Sequence, residues 1–112
     1  MKISKLFNNK SATQDWPERM ILYAVLTVTK SLLEIESKED SLYGHTAEDS
    51  LETINQAIKY YHDPNNNSYP EKIELEFLPT GPLQELSMTN GWDQVYLKLA
   101  ESFDQTYKTL KP

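Results

Sequence analysis

The chain has no cysteine. That removes a disulfide framework, a thiolate metal site and a cysteine nucleophile together. It fits a reducing cytoplasm, although many exported bacterial proteins share the trait. There are two histidines, His45 and His62. Zinc sites usually draw on several histidines or cysteines, so these two make a poor start. Gly44, Gly81 and Gly91 stand alone and form no phosphate-cradling loop. No serine lies in a G-x-S-x-G setting. Met20 to Val28, the most apolar stretch, is too short and interrupted to span a bilayer. Residues Met1 to Phe7 are basic but lack the apolar run and cleavage site of a signal peptide. Basic side chains are also scarce, 11 Lys and Arg against 17 Asp and Glu. That balance disfavours nucleic acid and anionic membrane as partners. The chain is expected to bind rather than to catalyse, in the cytoplasm, with no cofactor.

What the chain does have is an uneven distribution of charge. Glu34, Glu36, Glu39, Asp40, Glu48, Asp49 and Glu52 crowd one segment, with Lys38 the single base among them. That segment alone carries a formal −6, equal to the net charge of the whole protein. A concentrated anionic surface on a small protein points to a basic partner.

At 112 residues a single domain over 1–112 is expected, long enough to bury a core without staples. Ile3, Leu6 and Phe7 allow a short helix over residues 1–9. Asp15 and Glu18 have capping-box spacing, and Pro17 suits a first helical turn. Behind them Ile21, Val25, Val28, Leu32 and Ile35 repeat at helical spacing, with Leu22, Leu26 and Leu33 alongside. So wide an apolar arc predicts a central helix ending near Lys38–Asp40. Thr46 is the expected N-cap of a second helix, with Glu48 and Asp49 in its first turn. Its stripe is Ala47, Leu51, Ile54, Ile58 and Tyr61, and Asp63-Pro64 ends it.

Ile73, Leu75 and Phe77 alternate like a strand. With no second strand to pair with, a short helix is the better reading. A second short helix is expected over Leu83 to Met88, closing at Asn90-Gly91. Trp92, Tyr96, Leu99, Phe103, Thr106 and Leu110, widened by Val95, mark a last long helix. The expectation is an all-α antiparallel bundle of three long helices, with short helices in the 63–91 connection.

Of the seven tyrosines, Tyr61 and Tyr96 fall on core stripes. Tyr43 does not. It sits at the turn of the acidic hairpin, where an aromatic among carboxylates has the make-up of an interface hot spot. The candidate binding residues are therefore Glu34, Glu36, Glu39, Asp40, Tyr43, Glu48, Asp49 and Glu52. His45, Glu48 and Asp49 form at best a weak metal set, and a solvated turn histidine is the simpler reading. Glu74 and Glu76 are expected on a solvent face rather than as an acid–base pair.

Leu78-Pro79-Thr80-Gly81-Pro82-Leu83-Gln84-Glu85-Leu86-Ser87, then Asn90-Gly91-Trp92 and Leu97-Lys98-Leu99-Ala100, resemble small helical bacterial proteins. Some of these are cognate immunity proteins of toxin systems, including contact-dependent inhibition. The resemblance covers about the last third of the chain and assigns no binding residue. It implies a cytoplasmic protein that neutralises a delivered toxin. The motif also has a structural role: Pro79 and Pro82 stiffen the turn, Gly81 allows positive φ, and Gln84 or Glu85 can cap nearby backbone. The alternative is an adaptor or homodimeric assembly module that uses an apolar helix face within residues 20–35.

Overall fold

The computed structural model describes residues 15–63 and 65–110. The helix expected over residues 1–9 lies outside them. Among the described residues there is no strand, and the order is α1 (Trp16–Glu36), α2 (Ala47–His62), α3 (Ile73–Glu76), α4 (Pro82–Asn90) and α5 (Asp93–Leu110). The short segment at Ile73 is helical, as its lack of a strand partner predicts. No helix among the described residues is long and apolar enough to cross a membrane.

α1 packs against both α2 and α5. α3 touches α2 and α4, and α4 touches α5 and α2. The connection between the second and third long helices is thus ordered and packed rather than a free linker. The central place expected for α1 follows from its two large neighbours.

The buried face of α1 corrects the sequence reading. Leu22, Val25, Leu26, Thr29 and Leu33 are buried, whereas Ile21, Val28 and Ile35 are exposed. Two adjacent stripes repeat with the same helical period, so the period cannot say which one meets the neighbours. The leucine stripe does. On α2, Ile54, Ala57 and Tyr61 are buried, with Ala47, Leu51 and Ile58 packed at their edges. On α5 the core residues are Tyr96, Phe103 and Tyr107; Val95, expected to widen the stripe, is exposed.

Aromatic rings join the connection to α5. Phe77 stacks on Phe103 with centroids 4.0 Å apart, and Phe103 stacks on Tyr107 at 4.9 Å. Fully burying such a side chain contributes about 1.5–3 kcal/mol. The Tyr96 phenol, buried beside Asp104 and Glu76, has its pKa pushed up to about 12. It therefore stays neutral in the core.

Helix ends are tied down by specific contacts. Arg19 is buried; its Nη2 donates to the Tyr60 and Asp63 carbonyls, and its guanidinium lies over the Tyr60 ring at 5.0 Å. The start of α1 is thereby held on the end of α2. At the other end of α1, Ser37 Oγ donates to the Leu32 carbonyl and accepts from Trp92 Nε1 at 2.9 Å. Asp15 holds the N-cap position of α1 but makes no capping bond. Its ψ of 19° takes it out of the extended geometry that capping requires, so the expected capping box does not form. Thr46 does cap α2, its Oγ1 accepting from the Asp49 N–H at 3.1 Å.

In the Pro79–Pro82 turn the positive φ that glycine allows falls on its neighbour instead. Gly81 has φ −81°, and Thr80 takes the left-handed conformation at φ 62°. Gly81 is needed for space instead: a Cβ there would lie 2.8 Å from the Leu75 carbonyl oxygen and 2.9 Å from that of Leu78. Gln84 Oε1 accepts from the Thr80 N–H at 2.8 Å, the backbone cap foreseen for it.

Candidate binding surface

α1 ends at Glu36, before the Lys38–Asp40 stop that the sequence suggests. Glu39 and Asp40 therefore belong to the loop between α1 and α2. That loop is closed by its own hydrogen bonds. The Ser41 N–H donates to the His45 carbonyl at 2.9 Å, and the Gly44 N–H to the Ser41 carbonyl at 3.1 Å. The His45 N–H donates to Ser41 Oγ at 3.0 Å. Gly44, at φ 82°, supplies the left-handed turn residue.

A second anchor comes from α4. Asn90 Oδ1 accepts from the Glu39 N–H at 2.9 Å, and Asn90 Nδ2 donates to the Glu39 carbonyl at 2.8 Å. One side-chain amide thus satisfies both backbone groups of Glu39. The backbone is fixed while the side chains are left to solvent. Glu39 and Asp40 are exposed, Leu42 is 94 % exposed and Tyr43 is 76 % exposed. A fixed loop that presents two large apolar side chains among carboxylates has already lost much of the entropy that binding costs. Leu42 is absent from the sequence-based candidates. Its neighbourhood, between a serine and Tyr43 in a turn, signalled it only weakly.

The eight candidates do not make one face. Glu34 and Glu36 are exposed on the last turn of α1. Successive helical residues are about 100° apart, so these two leave the helix on opposite flanks. Glu48, Asp49 and Glu52 are exposed on the first turns of α2. Asp49 and Glu52 line a cleft of about 520 Å³ with Thr53, Tyr69, Lys72 and Glu76. The acidic segment therefore divides into loop, α1 flanks and cleft.

Glu76 corrects the sequence reading most sharply. Expected on a solvent face, it is only 8 % exposed, and its Oε1 accepts from Ser50 Oγ at 2.7 Å. Burial holds its pKa above the usual carboxylate range; the Ser50 hydrogen bond and nearby His45 oppose the shift, and Asp49 adds to it. Its partner Ser50 lies on α2, out of reach of any local pattern around residues 73–77. Among the described residues no three of His, Asp and Glu converge on a metal-binding point, and His45, Glu48 and Asp49 do not form a set. No known protein family, curated protein or solved structure matches the chain.

Proposed function

We propose that this chain is an inhibitory binding protein of the immunity type. It sequesters a cognate protein toxin by docking the acidic 37–45 loop on a basic surface, with Glu48 and Asp49 at the start of α2 beside it. For a nuclease toxin, that surface is the active-site cleft. The carboxylates take the place of substrate phosphates, and inhibition is by occlusion. The three long helices act as an antiparallel bundle that holds the loop at one end, in a single cytoplasmic domain.

The observation that carries this reading is the pinned backbone of Glu39 beside the bare Leu42 and Tyr43 side chains. Apolar anchors in a rim of like charge slow dissociation, while the charge itself speeds encounter. The test is binding to the toxin encoded beside this chain's own gene. Reversing Glu39, Asp40, Glu48 and Asp49 to lysine should abolish protection and flatten the salt dependence of affinity. Unchanged affinity and salt slope would sink the acidic-loop mechanism.

A further inference from the structure

The exposed side of α1 is not accounted for by the acidic loop. Ile21 is 47 % exposed, Val28 45 % and Ile35 63 %. Ala24 and Ser31, also exposed, lie between them. Together the five positions run at spacings of three and four, a two-heptad seam of about 21 Å at the helical rise. Large residues alternate with small ones, leaving shallow holes between the isoleucine and valine side chains. A seam of that period is matched by another α-helix rather than by a strand. The polar atoms beside it are already satisfied within α1: Thr27 Oγ1 donates to the Tyr23 carbonyl at 2.8 Å, and Ser31 Oγ to the Thr27 carbonyl at 3.3 Å. The face can therefore be covered without leaving a hydroxyl unpaired.

Charge selects the occupant. The seam ends between Glu34 and Glu36, both exposed. A second copy of this chain fits badly. Laid antiparallel about Val28, it brings Glu36 nearly level with Glu18 of that copy on the same flank. Laid parallel, it sets Glu34 and Glu36 against themselves. We infer that this face takes a basic amphipathic helix of the partner protein, its apolar stripe on Ile21, Val28 and Ile35 and its Lys or Arg residues toward Glu34 and Glu36, on either flank of the seam's end. This rests on reading the chain as a binding protein, but not on the acidic loop being the contact.

The test uses a synthetic three-heptad peptide with leucine at the two seam positions and lysine elsewhere, titrated into the full chain by methyl NMR. The Ile21, Val28 and Ile35 methyls should shift on binding. Val28→Glu should weaken affinity about tenfold or more. Leu97→Glu, at an exposed apolar position on α5, should leave it unchanged. Each variant is first checked for parental helicity and melting temperature. Equal binding by parent and Val28→Glu overturns the inference and leaves the acidic-loop proposal standing. Peptide binding lost in Val28→Glu but kept in the four-lysine variant upholds the inference, and the loop proposal is decided separately by the toxin affinity of the four-lysine variant. A free chain that is dimeric, and becomes monomeric in Val28→Glu, assigns the seam to a second copy and overturns the inference.

Discussion

The Asn90 side chain grips Glu39 by both of its backbone groups, at 2.9 Å to the N–H and 2.8 Å to the carbonyl. Fifty-one residues apart in sequence, the two join the end of α4 to the acidic loop. Asn90 Nδ2 also donates to the Leu86 carbonyl at 2.9 Å, so the amide is held by its own helix. Asn90→Ala removes these bonds and should cost about 1–3 kcal/mol of stability. The loop amides of residues 38–41 should then exchange faster than those of α1 and α5, read by hydrogen exchange. Asn90→Asp keeps an acceptor for the Glu39 N–H but loses the donor to its carbonyl. It should fall between parent and Asn90→Ala; a rank order with Asn90→Asp as stable as the parent would contradict the two-bond grip.

Leu42 and Tyr43 separate binding from folding. Both project from a loop whose backbone bonds do not involve their side chains. Leu42→Ala and Tyr43→Ala should leave stability within about 0.5 kcal/mol, as surface substitutions do. If they are the anchors of an interface, each should weaken partner affinity by about 2 kcal/mol, chiefly through faster dissociation. Denaturant midpoints and surface-plasmon dissociation rates check the two halves separately. A loss of stability of several kcal/mol would mean the side chains are not as free as their exposure indicates.

The elements were legible in the sequence because their signals are local. Thr46, the Asn90-Gly91 stop and the α5 stripe each act within a turn or two of helix. Two kinds of feature were not legible. One is the choice between equal-period stripes on α1, which depends on where α2 and α5 lie. The other is any site residue whose partner is distant. Buried Glu76 finds its partner in Ser50, and nothing near residues 73–77 announces a serine on another helix. Leu42 was missed for a related reason: exposure of an apolar turn residue is a property of the packed loop. The candidate acidic residues were found by composition. Composition carries no direction; the helical period, itself legible in the sequence, is what puts Glu34 and Glu36 on opposite flanks.

Gly81 sets two effects against each other. At φ −81° alanine is conformationally acceptable, and replacing glycine there stiffens the unfolded chain, worth about 0.4–1 kcal/mol in favour of folding. The added Cβ, however, would press on the Leu75 and Leu78 carbonyl oxygens at 2.8 and 2.9 Å. These are backbone atoms of the turn that carries Phe77 onto Phe103, and they cannot swing aside as a side chain does. The clash should win, with a net loss of about 1–3 kcal/mol. Urea unfolding of Gly81→Ala decides it, and a midpoint at or above the parent's would show that the turn relaxes freely.

Glu76 gives a pH dependence of definite sign. Its pKa is raised in the folded protein, chiefly by burial. The native state therefore holds the proton more tightly than the unfolded chain, whose Glu titrates at about 4.3. Below that pH the group's contribution to stability is fully present; as pH rises through the folded-state pKa, it is lost. In Glu76→Gln the side-chain amide keeps an acceptor for Ser50 Oγ and never ionises. The variant should thus match the parent in acid and exceed it at neutral pH, the gap opening above the usual carboxylate range. Denaturant midpoints across that range test the sign, and parallel pH profiles would remove Glu76 as the cause. The same substitution takes one carboxylate from the cleft shared by Asp49 and Glu52. If the cleft contributes to docking, the stabilised variant should bind a basic partner less tightly above the folded-state pKa of Glu76 and equally well below it. Stability and affinity would then move in opposite directions through a single proton.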